Sequence, residues 1–164
     1  MPYERAWIVG SRRGILQRLI GNYKFERMRA AYSVLGDLLL ESLPDLPPET
    51  VVIPVPTVAS HVRERGYDHM LLIATYVAKK RRLGLDRSLK RRTDTKQRQS
   101  NAKQRVDYAK RAFEVRGRLD ESVPYLLIDD VVTTGATIKY AAKALRDAGA
   151  KHVWVAAIAR QTLD

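Results

Sequence analysis

The chain has 164 residues, a length that predicts one domain (residues 1–164) large enough to bury a core. It has no cysteine, which excludes disulfides and cysteine-ligated zinc or iron–sulfur sites, and no apolar stretch long enough for a signal peptide or a membrane span; a soluble, cytoplasmic protein is expected. The net charge of +12 favours polyanionic partners, among which phosphorylated small molecules, nucleic acid and acidic membrane surfaces all fit.

The N-terminal part of the chain, residues 1–44, is predicted to precede a core of about 50–160. Residues 1–22 mix arginines with apolar side chains and are interpreted as a short strand or hairpin leading inward. From Met28 to Leu39 the apolar residues recur at helical spacing and predict an amphipathic helix that ends by Pro44. Lys24 lies just before this helix between two aromatic residues, where its ammonium can lie over a phosphate; a solvated lysine is the alternative.

A second buried strand, TVVIPV at residues 50–55, leads into a basic loop. The guanidinium groups of the arginines in this loop can bind diphosphate oxygens through two parallel hydrogen bonds, and Gly66 permits close approach of the backbone to a ligand or an unusual backbone angle. The alternative is an arginine pair on a solvated turn. The loop contains His61, Arg63, Arg65 and Gly66, and a helix is predicted from near Tyr67, with Leu71, Leu72, Thr75, Val77 and Ala78 as most of its apolar face.

Residues 79–111 form the most basic part of the chain. Their middle, Thr93–Gln104, is polar with almost no apolar periodicity and is expected to be mobile. A loop that closes over a ligand and a basic linker that improves solubility or contacts nucleic acid are both compatible with this composition. A strand is predicted at Ala112–Val115 and a turn at 117–122.

The most informative stretch is Tyr125–Thr137, YLLIDDVVTTGAT. An apolar run typical of a buried parallel strand ends at Asp129 and Asp130, and small hydroxylated residues then lead into a helix that stops at Gly149. Small residues at a helix N-terminus direct several N–H groups to one point, which favours a phosphate. The paired carboxylates can hold vicinal ribose hydroxyls, directly or through a metal and water. The alternative is a capped helix after a strand with solvated aspartates.

A last apolar strand is predicted at His152–Ala159, with His152 in a structural role and Arg160 just beyond it. The alternation of strands and helices predicts an α/β fold with three layers, in which helices cover both faces of a mostly parallel sheet. With three histidines and no cysteine, no nucleophilic triad is indicated.

At Asp129–Thr137 the sequence closely resembles the phosphoribosyl diphosphate (PRPP) motif of type I phosphoribosyltransferases; a Walker loop is excluded because its Gly-Lys-Ser/Thr element is missing. The resemblance implies that residues 133–137 bind the 5-phosphate and that both aspartates bind the ribose hydroxyls. It also implies Mg²⁺ as cofactor, held mainly by diphosphate oxygens, ribose hydroxyls and waters. The phosphate-binding residues would be Thr133, Thr134, Gly135, Ala136 and Thr137.

Within this superfamily the chain resembles the ComF-type branch. The resemblance rests on PVPTVASHVRERGYDH at residues 54–69, on Tyr23-Lys24-Phe25 and on the order of residues in 89–113. Members of the branch often begin with a cysteine-rich zinc module, and because the sequence contains no cysteine, no counterpart of that module is expected in it. The branch's Arg-Gly-Phe-Asn-Gln turn is here Arg65-Gly66-Tyr67-Asp68-His69, and its asparagine after the basic loop is Tyr108.

Two functions follow as hypotheses. The first is Mg²⁺-dependent PRPP binding with transfer of ribose phosphate to a nitrogen acceptor and release of pyrophosphate, with Asp129, Asp130, Arg65 and Lys24 as catalytic residues. The second is a competence protein linked to DNA uptake, which uses the fold for single-stranded DNA binding or PRPP sensing without catalysis. A homodimer is a possible assembly in either case. A nucleobase salvage enzyme would need a base-recognition hood, which cannot be identified in the sequence.

Overall fold

The computed structural model describes residues 1–25, 31–92 and 112–161, without the side chains of Lys24 and Phe25. The strands are β1 (Arg5–Ser11), β2 (Val51–Pro54), β3 (Gly84–Leu85), β4 (Leu89–Arg91), β5 (Phe113–Val115), β6 (Pro124–Val132) and β7 (His152–Arg160). The helices are α1 (Gly14–Phe25), α2 (Tyr32–Ser42), α3 (Ala59–Arg65), α4 (His69–Arg81) and α5 (Ala136–Asp147).

In the described residues, the main sheet has five parallel strands in the order β1-β7-β6-β2-β3. Its central strand β6 is buried from Pro124 to Asp130, as the continuous apolar run predicts for a strand covered on both faces. β2 and β7 flank it, with Ile128 opposite Pro54 on one side and Ala156 on the other. The predicted parallel sheet and its strands at 50–55, 125–128 and 152–159 are therefore confirmed.

Helices cover both faces of this sheet, and the alternation of β6 side chains shows how. Leu126 and Ile128 pack with α1, α2 and α4, whereas Tyr125 and Leu127 pack with α5 on the opposite face. Leu126 is fully buried, which contributes about 1.5–3 kcal/mol relative to an exposed side chain. The three-layer α/β prediction is confirmed. None of the helices described is both long and apolar enough to cross a membrane.

The N-terminal segment differs from its prediction. The strand is confirmed as β1, which pairs in parallel with β7 at the edge of the main sheet, but the hairpin is wrong. Residues 14–25 form helix α1 instead, because Leu16, Leu19, Ile20 and Tyr23 share one side that packs against the core. The next predicted helix is confirmed for Tyr32–Ser42, and Met28 lies outside the described residues.

The segment after β2 contains two further corrections. The basic loop is largely a short helix, α3, which buries none of its residues and so leaves no apolar period in the sequence. The following helix is confirmed as α4, but the side that it buries differs in part from the predicted one. Leu71 and Leu72 are only half-buried, and Thr75 is exposed. Its buried apolar stripe consists of Met70, Ile73, Ala74, Val77 and Ala78.

A two-stranded antiparallel sheet, β4–β5, lies apart from the parallel sheet. The strand predicted at 112–115 is confirmed as β5, but its partner is β4, a strand of three residues that the sequence did not indicate. Leu89 and Phe113 attach this pair to the apolar cluster beneath α5. The predicted mobile segment, Thr93–Gln104, lies outside the described residues, as does the rest of 93–111.

Candidate active site

The two adjacent carboxylates lie where the central strand, β6, extends beyond its pairing with β2. Pairing with β2 stops at Pro54 opposite Ile128, whereas pairing with β7 continues to Val132 opposite Arg160. Asp129 and Asp130 follow immediately after the last β2 pair, and each is only 7% exposed. The predicted position at the carboxyl end of a strand is confirmed, although β6 itself runs two residues further, to Val132.

The turn from β6 into α5 has a left-handed backbone conformation at Gly135. Gly135 precedes the helix with φ 78° and ψ 1°, a left-handed conformation that side-chain-bearing residues rarely adopt. Thr134 Oγ1 accepts a hydrogen bond of 3.3 Å from the Ala136 amide. The first turn of α5 contains no acidic residue, so its positive end is not neutralised from within the helix. Thr133, Thr134 and Ala136 are exposed, and Thr137 is half-buried.

A cleft of about 300 Å³ opens between this turn and the segment that follows β2. Asp129, Asp130 and Thr137 line one wall, and Arg65 lines the other. The remaining lining residues are Val55, Pro56, Thr57, Val58, His61, His69, Met70, Arg91 and Val131. Four residues predicted to bind phosphate or diphosphate, Thr133, Thr134, Gly135 and Ala136, adjoin the cleft in sequence but are not among its lining residues, and the same holds for Gly66.

A chain of hydrogen bonds joins the two walls. Arg65 Nη1 lies 2.9 Å from His69 Nδ1, and His69 Nε2 lies 2.7 Å from Asp130 Oδ2. His69 is 5% exposed, so this bridge is largely shielded from water. Sequence reasoning missed His69 as a site residue, because a polar residue at the first position of a helix does not reveal which strand it faces.

Interactions with neighbouring elements hold the bridge in position. Tyr23 Oη donates to the His69 carbonyl at 2.8 Å, and the Tyr23 carbonyl accepts from the Tyr67 hydroxyl. Asp68 caps α4 by accepting from the Leu71 amide at 3.1 Å, and its carboxylate also accepts from the Thr57 hydroxyl at 3.0 Å. The end of α1 and the start of α4 are thereby attached to each other beside the cleft.

The remaining predicted residues lie around this site or away from it. Lys24 lies in the last turn of α1, and its side chain is outside the described part of the chain. Gly66 ends α3 with φ 81°, so the expected unusual backbone angle is confirmed. Arg63 is exposed on α3, and Arg160 is exposed at the end of β7. His152 lies at the opposite end of β7, 3.3 Å from Glu4, in agreement with a structural role.

The residues at the cleft fit a Mg²⁺ ion that is held partly by the protein and partly by a bound ligand and water. Among the described residues there is no group of three or more histidine, cysteine, aspartate or glutamate side chains that could hold a metal ion. Mg²⁺ commonly binds one or two carboxylates and completes its shell with phosphates and waters. The adjacent pair Asp129 and Asp130 matches that arrangement.

Comparisons with known proteins agree with this architecture. No family model matches the chain. It is 30% identical over 169 aligned positions to competence protein F of Haemophilus influenzae, a match covering 96% of this chain and 73% of that protein.

Two solved structures are also similar. Glutamine PRPP amidotransferase from B. subtilis, complexed with ADP and GMP, has a TM-score of 0.51 and 17% identity over 77% of this chain; the chain spans only 25% of that one. Orotate phosphoribosyltransferase from Aeropyrum pernix has a TM-score of 0.44 and 26% identity, covering 85% of this chain and 61% of that one. The chain therefore belongs to the competence protein F family, with the α/β fold of type I phosphoribosyltransferases.

Proposed function

We propose that the protein binds PRPP in a Mg²⁺-dependent manner and transfers its ribose phosphate to a nitrogen acceptor with release of pyrophosphate. One observation carries this proposal: the cleft has two buried carboxylates and the start of α5 on one wall and Arg65 on the other. Such an arrangement suits a ligand with hydroxyls in its middle and phosphate groups at both ends.

The binding mode follows from the chemistry of each wall. The 5-phosphate accepts hydrogen bonds from the amides of the turn and from the hydroxyls of Thr133, Thr134 and Thr137. Asp129 and Asp130 accept from the ribose hydroxyls. Arg65, across the cleft, donates to the diphosphate. Lys24 is a second candidate cation for the diphosphate, because its backbone lies at the end of α1.

The reaction requires positioning more than a nucleophile. Carbon 1 of the ribose becomes positively charged as pyrophosphate leaves, so the residues at the cleft must orient the acceptor and stabilise the departing negative charge. Arg65 stabilises that charge, and the two aspartates fix the ribose ring relative to the acceptor. When bound at Asp129 and Asp130, Mg²⁺ supplies additional positive charge at the diphosphate oxygens.

The test of binding is calorimetric titration of the protein with PRPP, with and without Mg²⁺. We expect saturable, Mg²⁺-dependent binding that ribose 5-phosphate and pyrophosphate each weaken by competition. Arg65→Met should reduce the affinity at least about tenfold, as expected when a hydrogen bond to a charged group is lost. Arg63→Met is the matched control, because Arg63 lies on the same helix but outside the cleft. Equal losses in both variants would contradict the role of Arg65.

Transfer is tested separately by pyrophosphate release from PRPP in the presence of Mg²⁺ and a panel of nucleobases and amines. Release that depends on one acceptor supports a transferase. Saturable PRPP binding without release for any acceptor would favour a PRPP sensor instead.

A second candidate function is binding of single-stranded DNA. A smaller cleft of about 220 Å³ adjoins the first and is lined by Arg87, Lys90 and Arg91, in a chain whose net charge is +12. The Haemophilus relative is named a competence protein, which fits a DNA partner. If phosphates are neutralised, the logarithm of the affinity should fall linearly with the logarithm of the salt concentration. No binding of single-stranded DNA even at low salt would reject this function.

A further inference from the structure

His69 occupies a position at which both ring nitrogens are used. A guanidinium can only donate, so the nitrogen facing Arg65, Nδ1, must accept. The other nitrogen, Nε2, then carries the proton and donates to Asp130 Oδ2. The geometry therefore selects the neutral imidazole with its proton on Nε2.

We infer that His69 is a positioning residue, which sets the separation and orientation of Arg65 and Asp130 across the PRPP cleft by accepting from one and donating to the other. This inference rests on the proposed function, because its consequence is measured as PRPP affinity. What the position requires is one acceptor and one donor at opposite ends of a neutral side chain, rather than an imidazole.

The surroundings of His69 make such a role effective. The side chains of His69 and Asp130 are only 6% and 11% exposed, so water competes poorly for their hydrogen bond. The rings of Tyr23 and His69 pack edge to face with their centroids 5.9 Å apart. The Tyr23 hydroxyl also donates a hydrogen bond to the His69 carbonyl, which fixes the backbone at His69. A guanidinium has five N–H donors, so Arg65 can bind His69 and a diphosphate oxygen at the same time.

The loss of the bridge has a defined consequence for ligand binding. Without His69, the Arg65 guanidinium loses the hydrogen bond that links it to the opposite wall, and Asp130 loses a buried hydrogen-bond partner. Both effects weaken binding of PRPP.

Two variants separate this role from simple packing. His69→Gln keeps a neutral donor and acceptor, whereas His69→Leu fills similar space without either. We expect His69→Gln to bind PRPP within about threefold of wild type and His69→Leu to bind at least about tenfold more weakly, in line with a lost hydrogen bond to a charged group. If packing alone mattered, leucine would bind at least as well as glutamine, and that result would overturn the inference.

A measurement on the wild-type protein keeps the test valid if His69→Leu does not fold. Long-range ¹H–¹⁵N correlation spectra report which imidazole nitrogen carries the proton. The proton on Nε2 supports the bridge, and a proton on Nδ1 contradicts it. The two proposals also fail differently: wild type that does not bind PRPP rejects both, whereas equal affinity of wild type and His69→Leu rejects only the role of His69.

Discussion

Replacing Gly135 with alanine tests the backbone of the β6–α5 turn, on which the proposed phosphate site depends. Gly135 has φ 78°, and among the described residues a Cβ built there would meet only Val132 Cγ1, at 4.0 Å. The substitution is therefore not opposed by crowding but by the left-handed conformation, which costs a side-chain-bearing residue about 1–2 kcal/mol. For a chain of this size that corresponds to a decrease in Tm of about 2–8 °C.

The assay is thermal or urea unfolding of purified Gly135→Ala beside Gly21→Ala. Gly21 lies within α1, where an added Cβ meets no atom of the described part of the chain within 4 Å, and its φ is not positive. Alanine is favoured over glycine inside a helix by about 1 kcal/mol, so the control variant should be more stable than wild type. Opposite signs for the two variants are expected. A Tm for Gly135→Ala equal to or above that of wild type would refute the left-handed turn.

Two further predictions concern stability away from the cleft. Gly36→Ala should destabilise the protein by about 1–3 kcal/mol through overpacking, because its Cβ would clash with Tyr76 Cδ1. Introduced into a Tyr76→Ala variant, the same substitution should lower the free energy of unfolding much less, as measured by urea unfolding. For Glu4, burial raises the pKa, but hydrogen bonds from Trp154, His152 and Arg146 outweigh it and hold the pKa below its ordinary value of 4.5. The ionised carboxylate therefore stabilises the fold above that pH, so Glu4→Gln should lose about 0.2–1 kcal/mol at pH 7, a difference that shrinks as the pH falls below 4.5.

The centre of the fold could be predicted because its signals are local. In 125–137 the apolar run, the paired carboxylates and the small residues all occur within one continuous stretch, and the structure places them as expected. Gly149 was predicted to stop the following helix, and it adopts φ 115° just after α5 ends.

Other elements could not be predicted because their signals are weak or depend on distant residues. α3 buries no residue, so it has no apolar period, and β3 and β4 are too short to show one. β1 is only half-buried at the sheet edge, which concealed where the strand ends and α1 begins. The contact between His69 and Asp130 joins residues 61 positions apart, and only the three-dimensional packing of α4 against the sheet brings them together.

The central claim is that Asp129 and Asp130 hold the ribose of PRPP at the end of β6. Calorimetric titration with PRPP and Mg²⁺ of wild type beside the Asp129→Asn/Asp130→Asn double variant tests it most directly, with thermal unfolding to confirm that the variant is folded. Saturable, Mg²⁺-dependent binding by wild type that a folded double variant loses is the predicted result. Equal PRPP affinity in the two proteins, or no binding by wild type at millimolar PRPP, would contradict the account.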